Sequence, residues 1–275
     1  MKLKEIPPYL YHGTRLSFKS AKKLNVRDSA TELPVVVSLT TIPSRIGIVH
    51  LTIRSILAQE EKPKKIVLWL HEQFKGKLPR SLKKLVGAIF EIRFSKHDFS
   101  HLKLVESLLA FPSEAIVTID DDLMYPPDFL KLLYKSHLEY PNAIISNQVR
   151  EITFDKEGDP LPYVQWKHQT EQPKNPKFIM PLGVFGVLYP PQSLDLRVTD
   201  VPLLESLAPK ADDLWFKAMS ILKGTTSRVA PFQTTNPILI LGTQKIALKR
   251  TNKHQDFNRV QWVRLMEYFN ISSEE

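Results

Sequence analysis

Cysteine is absent from the 275-residue chain, and glycine is scarce. The lack of cysteine excludes thiolate catalysis, iron–sulfur clusters and a disulfide framework. Only 9 glycines stand beside 21 prolines, which disfavours glycine-rich phosphate loops. Neither GxGxxG nor GxxxxGK[ST] occurs, so dinucleotide binding by the Rossmann fingerprint and P-loop hydrolysis are disfavoured. The GxSxG elbow of serine hydrolases and the HExxH zinc pattern are also missing.

Long apolar runs are missing as well. No stretch approaches the roughly 18 uninterrupted apolar residues of a membrane span. The start, MKLKEIPPYLYHG, has basic residues without the apolar run of a signal peptide. Because 43% of residues are hydrophobic and 24% charged, the composition is that of an ordinary globular protein. We expect a cytoplasmic protein with one large domain or two small ones.

Positive charge is in excess, with a formal net charge of +9. Much of the excess lies in residues 1–30, 62–84 and 249–264. A basic balance favours anionic partners such as phosphorylated substrates, acidic lipid headgroups or nucleic acid, although a solvated lysine-rich surface is an equal alternative. Nucleic acid is the least favoured partner, because the basic residues are dispersed and no nucleic-acid-binding motif occurs.

Strands and helices are predicted to alternate along residues 34–150. Short β-branched and apolar runs are typical of buried strands, and they occur at 34–40, 65–70, 89–94, 115–119 and 142–146. Apolar residues at helical spacing predict the intervening helices, over 46–59, 78–86 and 101–109 and from Pro127 onward. Alternation with short connections predicts an α/β fold with a doubly wound, mostly parallel sheet.

Beyond residue 150 the pattern changes. Residues 151–180 are polar and proline-rich, which favours a hairpin or a flexible loop. Residues 181–190 are apolar and bounded by prolines. Helices are predicted over 211–222, ending at Gly224, and over 257–269.

The stretch IVTIDDDLMYPPDFL places three consecutive carboxylates directly after the predicted strand 115–119. In open parallel sheets, ligands bind at the carboxyl ends of the strands. On an extended chain alternate side chains share a face, so we expect Asp120 and Asp122 to project together and Asp121 to point away. A divalent cation such as Mg²⁺ or Mn²⁺ would relieve the repulsion between them. The sequence predicts metal or substrate binding here; a solvated acidic turn or a helix cap is the alternative.

Other polar and aromatic residues are weaker candidates. The pair Asp212 and Asp213 opens a predicted helix, where it would act either as a cap or as a general base. Arg45 and Lys103 are cations that could meet phosphate, and His254 is a candidate metal ligand or a solvated side chain. Three aromatic residues would form either a stacking platform for a sugar or base or part of the core: Tyr163, Trp166 and Tyr189.

Four segments together resemble a nucleotide-sugar-dependent glycosyltransferase of the GT-A fold, of the family-2-like kind found in bacterial surface-polysaccharide pathways: VVVSLTTIPSRI, TIDDDLMYP, MPLGVFGVLYPP and ADDLWFKAM. The resemblance covers roughly residues 34–225. It implies a Rossmann-like nucleotide-sugar domain, a C-terminal acceptor-side region and a Mn²⁺ or Mg²⁺ cofactor. The implied reaction is inverting transfer of a sugar, of the hexosyltransferase type, from a nucleoside-diphosphate sugar to a hydroxyl of a glycan or lipid-linked acceptor.

The resemblance also implies a division of the chain. Residues 1–33 form a basic N-terminal segment and residues 34–150 the nucleotide-sugar-binding α/β half. Residues 151–250 form the half that binds the acceptor and holds the catalytic base. Residues 251–275 form a C-terminal basic segment with a helix.

Individual roles follow by position in the resemblance. Asp120 would lie near the ribose or a metal-bound water, and Asp122 would bind the cation at the donor diphosphate. The remaining residues implied at the donor are Thr40, Pro43, Arg45, Asp98, Lys103 and Asp121. Those implied at the acceptor are Trp166, Gly183 and Gly186. The base would be Asp212 or Asp213, and the choice stays open because the usual Glu-Asp pair is here Asp-Asp.

Two other functions are compatible with the same sequence. A metal-dependent nucleotidyltransferase or phosphotransferase would use the same acidic triplet, and a nucleotidyltransferase would release pyrophosphate in place of a nucleoside diphosphate. A non-enzymatic nucleic-acid-binding protein would instead use the positive charge and show steep salt dependence. The basic surface is also compatible with peripheral contact with an anionic inner membrane face, where each Lys or Arg gains about 1 kcal/mol.

Overall fold

The computed structural model describes residues 6–173, 176–243 and 256–273. Its helices are α1 (Ile6–Phe18), α2 (Ala21–Leu24), α3 (His50–Leu57), α4 (Arg80–Lys83), α5 (Leu102–Ala110), α6 (Phe129–Glu139), α7 (Val201–Leu207), α8 (Asp212–Lys223) and α9 (Phe257–Phe269). Its strands are β1 (Glu32–Thr40), β2 (Lys62–His71), β3 (Phe90–Ser95), β4 (Ala115–Thr118), β5 (Leu123–Met124), β6 (Ile144–Ser146), β7 (Val149–Glu151), β8 (Lys167–Gln169), β9 (Ile179–Pro181), β10 (Val187–Tyr189), β11 (Ser227–Val229) and β12 (Ile238–Leu239).

The central sheet has seven strands in the order β11-β6-β10-β4-β1-β2-β3. Strands β3, β2, β1 and β4 are parallel neighbours, and β11 is parallel to β6. Strand β10 is antiparallel to both of its neighbours, β4 and β6. The predicted doubly wound, mostly parallel α/β sheet is therefore confirmed, and β10 is a strand that the sequence analysis did not predict.

The direction of β10 decides what lies beside the end of β4. In the antiparallel register Val187 opposes Thr118, so β10 begins where β4 ends. The short 3-10 turn Gly183–Phe185, which precedes β10, therefore approaches the carboxyl end of β4. This places the glycine-containing segment next to the acidic triplet.

The two faces of the sheet bury two separate apolar cores. Successive residues of β1 point to opposite faces, so Val35 and Val37 belong to one core and Val36 to the other. Helices α3 and α6 cover the first core, and α5, α8 and α9 cover the second. Cover on both faces explains why the strands read as continuous apolar runs.

The helix α8 begins and ends as its sequence predicts. Gly224 takes the left-handed conformation, φ 78°, and closes the C-terminus, which residues with a Cβ adopt at a cost. Ala211 stands at the N-cap, and no side chain caps the helix there. Asp212 and Asp213 lie in the first turn, where they complement the helix dipole but do not cap the helix.

Several elements lie outside the predicted pattern. Residues 151–180, predicted as a hairpin or flexible loop, contribute to an antiparallel sheet of order β8-β7-β9, in which the pairing of β7 with β8 agrees with the hairpin alternative. The N-terminal segment forms α1 and α2. Strands β10 and β11, from the predicted 151–250 half, belong to the same sheet as the strands of 34–150, and the four-part division stays a prediction. Within the described ranges, no helix is both long and apolar enough to cross a membrane.

Candidate functional site

The acidic triplet lies on the turn that follows β4. The Arg45 guanidinium approaches Asp121 at 2.6 Å and Asp122 at 3.3 Å. The second oxygen of Asp121 accepts a hydrogen bond from the Thr41 hydroxyl. Asp121 therefore faces the same guanidinium as Asp122, and the expectation that Asp121 points away is wrong. The chain leaves the extended conformation after Thr118, so the alternation of a strand no longer applies.

Arg45 binds the triplet to the end of β1. It closes the 3-10 turn Pro43–Arg45, which begins just beyond the strand. A second guanidinium nitrogen donates to the carbonyl oxygen of Thr243 at 3.1 Å. Burial would lower the pKa of Arg45, but Asp121 and Asp122 outweigh it and raise that pKa. The cation expected at a donor phosphate is thus engaged by two carboxylates.

Lys103, in the first turn of α5, joins the triplet to α8. Its Nζ lies 2.8 Å from Asp120 Oδ1 and 3.0 Å from Asp212 Oδ2. Only 7% of its side chain is exposed. Burial would lower the pKa of Lys103, but Asp120 and Asp212 outweigh burial and raise it well above its usual value. The lysine is therefore a charged bridge between the end of β4 and the start of α8.

Gly183 lies at the centre of this cluster. Its backbone N–H donates to both carboxylate oxygens of Asp213, at 3.2 and 3.3 Å. A Cβ on Gly183 would lie 3.0 Å from Asp213 Oδ1, 3.2 Å from Lys103 Nζ and 3.6 Å from Asp120 Oδ1. Glycine therefore allows these charged side chains to approach, and a Cβ would displace them by a few tenths of an ångström. We call Asp120, Lys103, Asp212 and Asp213 the charged cluster.

The two adjacent carboxylates of α8 differ in proton affinity. Burial and the neighbouring charge of Asp212 raise the pKa of Asp213 to about 8. Burial would also raise the pKa of Asp212, but Lys103 and His101 outweigh it and hold that pKa below its usual value. Asp213 is therefore the stronger proton acceptor of the two.

The carboxylates of the triplet suit a hard cation only if a bound phosphate supplies its remaining ligands. Among the described residues, no three His, Asp or Glu side chains are arranged to hold a metal ion. Mg²⁺ in nucleotide sites, however, often takes only one or two carboxylates besides phosphate oxygens. Asp120, with 33% of its side chain exposed, and Asp122 fit that requirement. Burial and the charge of Asp120 raise the pKa of Asp122 to about 6, a repulsion that a cation would relieve. His254 lies outside the described residues.

Three of the residues implied at the donor do not join the charged cluster. The Thr40 hydroxyl donates to the carbonyl of Trp69, at 2.9 Å, and so links β1 to β2. Pro43 begins the 3-10 turn and is exposed. Asp98 is exposed in the loop between β3 and α5.

Two residues implied at the acceptor have structural roles instead. Trp166 is 2% exposed, packs in the second core and donates its indole N–H to the carbonyl of Leu161 at 2.7 Å. Gly186, at φ 81°, faces the ring of Phe129, which a Cβ would overlap. Close approach does require this glycine, but its neighbour is α6 and not a ligand surface. Tyr189 is likewise buried, so the core alternative holds for it and for Trp166.

Two residues that support the site were not predicted. The Tyr125 hydroxyl accepts from the backbone N–H of Asp120 at 3.1 Å and donates to the carbonyl of Val184 at 3.3 Å, which ties the triplet to the Gly183 turn. His101 is fully buried near Asp212, and burial lowers its pKa to about 4. In the sequence, only the closeness of Tyr125 to the acidic triplet and of His101 to Lys103 could have indicated these supporting roles.

Comparison with known proteins supports the fold and nothing finer. No protein-family profile and no curated protein sequence matches the chain. One similar solved structure is the mannosyltransferase PcManGT from Pyrobaculum calidifontis, which was solved in complex with GDP-Man and Mn²⁺. Its sequence is 13% identical, and the TM-score is 0.51. The match covers 94% of this chain and 72% of the mannosyltransferase. This likeness supports a GT-A-like fold.

Two further structures are similar at lower TM-scores. A CMP:2-keto-3-deoxy-manno-octonic acid synthetase complexed with CTP is 12% identical, TM-score 0.43, over 88% of this chain and 100% of that one. The 4-diphosphocytidyl-2C-methyl-D-erythritol synthase from Anaerococcus prevotii DSM 20548 is 13% identical, TM-score 0.49, over 86% and 98%.

Proposed function

We propose that the chain is a metal-dependent glycosyltransferase that uses a nucleoside-diphosphate sugar and a hydroxyl acceptor. The observation that carries the proposal is the charged cluster, in which Lys103 bridges Asp120, after β4, and Asp212, at the start of α8. It lies at the carboxyl edge of a parallel sheet, where α/β folds bind their ligands. One part of this edge would hold the donor and the other would hold the proton acceptor.

The donor would bind beside Asp120 and Asp122. A divalent cation held by these two carboxylates would neutralise the negative charge that develops on the leaving diphosphate. Asp121 would not contact the donor, because Thr41 and Arg45 engage its oxygens. Its role would be to fix the turn, so that the other two carboxylates need not reorganise when the donor arrives.

We assign the base to Asp213. The acceptor oxygen would attack the anomeric carbon while the bond from that carbon to the diphosphate breaks, and the acceptor proton would pass to a carboxylate oxygen of Asp213. Asp212 is the weaker candidate because Lys103 lowers its pKa. The Gly183 N–H holds the Asp213 carboxylate in place. A single base on the face opposite the leaving group gives inversion at the anomeric carbon.

The test has two stages. A thermal-shift panel of nucleoside diphosphates, with and without Mn²⁺, would identify which nucleobase the protein prefers. A ligand that binds only the folded state raises the melting temperature. The matching sugar nucleotides would then be incubated with the protein and candidate hydroxyl acceptors. Release of nucleoside diphosphate together with a glycosylated product is expected. Release of pyrophosphate would contradict the proposal and favour a nucleotidyltransferase.

A pair of variants sharpens the test. Asp122→Asn should remove the Mn²⁺-dependent part of the thermal shift, whereas Asp159→Asn, an exposed carboxylate away from the site, should leave it unchanged. Equal cation-dependent shifts in both variants would show that the triplet does not hold the cation.

A further inference from the structure

The N-terminal helices present an apolar surface to solvent. On α1, Leu10, Tyr11 and Phe18 are exposed at 55%, 64% and 85%. Tyr11 and Phe18 are seven residues apart, two turns along one face of a helix. Large apolar side chains with this exposure and spacing form a stripe along α1.

The opposite face of α1 is fixed to the body of the protein. Tyr9 and Leu16 pack against a small buried cluster made by Leu51, Met124 and Ile240. The carbonyls of Leu16 and Lys19, at the end of α1, accept hydrogen bonds from the Arg54 guanidinium at 3.0 and 2.8 Å. The exposed stripe is therefore presented by a helix that α3 holds in a definite orientation.

The charged side chains of residues 6–27, which include the stripe, are all basic. Residues 6–27 contain no Asp or Glu. Arg15, Lys22 and Lys23 are exposed, and none of the three forms an ion pair with another described residue. We call the exposed apolar side chains of α1, with these three cations, the α1 face.

We propose that the α1 face docks on an anionic lipid surface. A lipid bilayer offers both of the complements that this face needs, because phosphate headgroups meet the cations and the acyl boundary accepts the apolar side chains. A nucleic-acid backbone would satisfy the cations but would leave Leu10 and Phe18 without a partner. The inference does not depend on the proposed activity, since it rests on a surface separate from the charged cluster.

Docking would hold the site at a fixed position relative to the membrane. Met124, which the inner side of α1 helps to bury, stands two residues after Asp122. Thr52 of α3 donates its hydroxyl to the carbonyl of Asp121 at 2.9 Å. The inner side of α1 therefore packs on residues next to the triplet, and the α1 face lies on the far side of this helix. Docking would suit an acceptor carried by a lipid.

Vesicle flotation with the full chain tests the proposal. The probes are phosphatidylglycerol–phosphatidylcholine vesicles and pure phosphatidylcholine vesicles, each at low and physiological salt. We compare Tyr11→Ser/Phe18→Ser with wild type, and Lys22→Glu/Lys23→Glu with Lys83→Glu/Lys84→Glu. The last pair alters two exposed lysines beside α4 and changes the net charge by the same amount. Circular dichroism and melting temperature verify that each variant folds.

We expect binding to the anionic vesicles alone, weakened about tenfold or more by the apolar variant and by the α2 charge variant. The α4 charge variant should bind within about twofold of wild type. Absence of binding at low salt would overturn the proposal. Equal loss in both charge variants would overturn it too, because net charge alone would then explain the attraction. Tighter binding of the α1 face to a duplex oligonucleotide than to the vesicles would assign it to nucleic acid instead.

Discussion

Lys103→Met removes the cation of the charged cluster and should destabilise the protein strongly. The variant leaves Asp120 and Asp212 without the ammonium group that lies 2.8 and 3.0 Å from them. Removing one member of a buried ion pair costs about 3–5 kcal/mol of unfolding free energy, because the remaining charge is buried without compensation. At neutral pH we expect a loss of that size, which corresponds to a fall in melting temperature of about 10 °C.

The sign of the pH dependence follows from the carboxylates. In the wild type, Lys103 lowers the pKa of Asp212, so this contribution to stability is present above the pKa of the unfolded chain and is lost as the pH falls. In Lys103→Met the penalty should therefore be greatest near neutral pH and should shrink towards pH 4, as the carboxyl groups gain protons. The double variant Lys103→Met/Asp212→Asn should recover part of the lost stability.

Lys217 provides a matched control. This lysine of α8 is 1% exposed, and its Nζ reaches only the Ser227 hydroxyl, at 3.4 Å, with no acidic partner among the described residues. Burial lowers the pKa of Lys217 to about 7. The cost in stability is therefore greatest below pH 7, and it disappears as the pH rises towards the pKa of a lysine in the unfolded chain. Lys217→Met should therefore stabilise the protein, by a few kcal/mol at about pH 6 and less at pH 9.

Urea unfolding of both variants at several pH values is the assay. Loss from Lys103→Met and gain from Lys217→Met would show that the partners of a buried lysine decide the sign. Equal effects of the two substitutions, or a Lys103→Met penalty that grows as the pH falls, would show that Lys103 does not stabilise the charged cluster.

Three further predictions concern the site and its supports. Asp213→Asn should abolish transfer. In the wild type, kcat/KM should rise with pH towards about 8, the pKa of the Asp213 carboxyl group, because only the deprotonated form accepts a proton. A kcat/KM that stays constant between pH 6 and 9 would contradict the assignment of Asp213 as the base. Gly183→Ala should lower kcat about tenfold, because a Cβ would displace Asp213 and Lys103 by a few tenths of an ångström, with little change in melting temperature. Gly186→Ala should do the reverse, lowering the melting temperature through Phe129 while the activity of the folded fraction is retained.

The sequence predicted the regular half of the fold well, for a physical reason. The runs 34–40 and 65–70 are mostly buried, and such strands show an unbroken apolar pattern that a sequence reveals directly. The run 89–94 belongs to the half-buried edge strand β3 and alternates instead. The three-residue strand β10 was missed because it is short and bounded by prolines. Its membership of the sheet depends on partners far away in sequence, β4 and β6.

The sequence predicted which residues belong to the site better than it predicted which of them contact each other. Asp120, Lys103 and Asp212 were all named, but the sequence did not indicate that the lysine would bridge the two carboxylates across the sheet edge. The orientation of Asp121 was wrong because a strand's alternation was extended into a turn. Trp166 and Gly186 were assigned to the acceptor by their positions in the resemblance, and burial is a property of the folded chain that such positions do not determine.

The most direct test of the account is a crystal structure of the protein soaked with Mn²⁺ and the nucleoside diphosphate that stabilises it best. We expect an anomalous manganese peak within bonding distance of Asp120 or Asp122, with the diphosphate oxygens completing the coordination of the ion. A nucleotide bound elsewhere, or a triplet still engaged only by Arg45 and Lys103 with no manganese beside it, would contradict it.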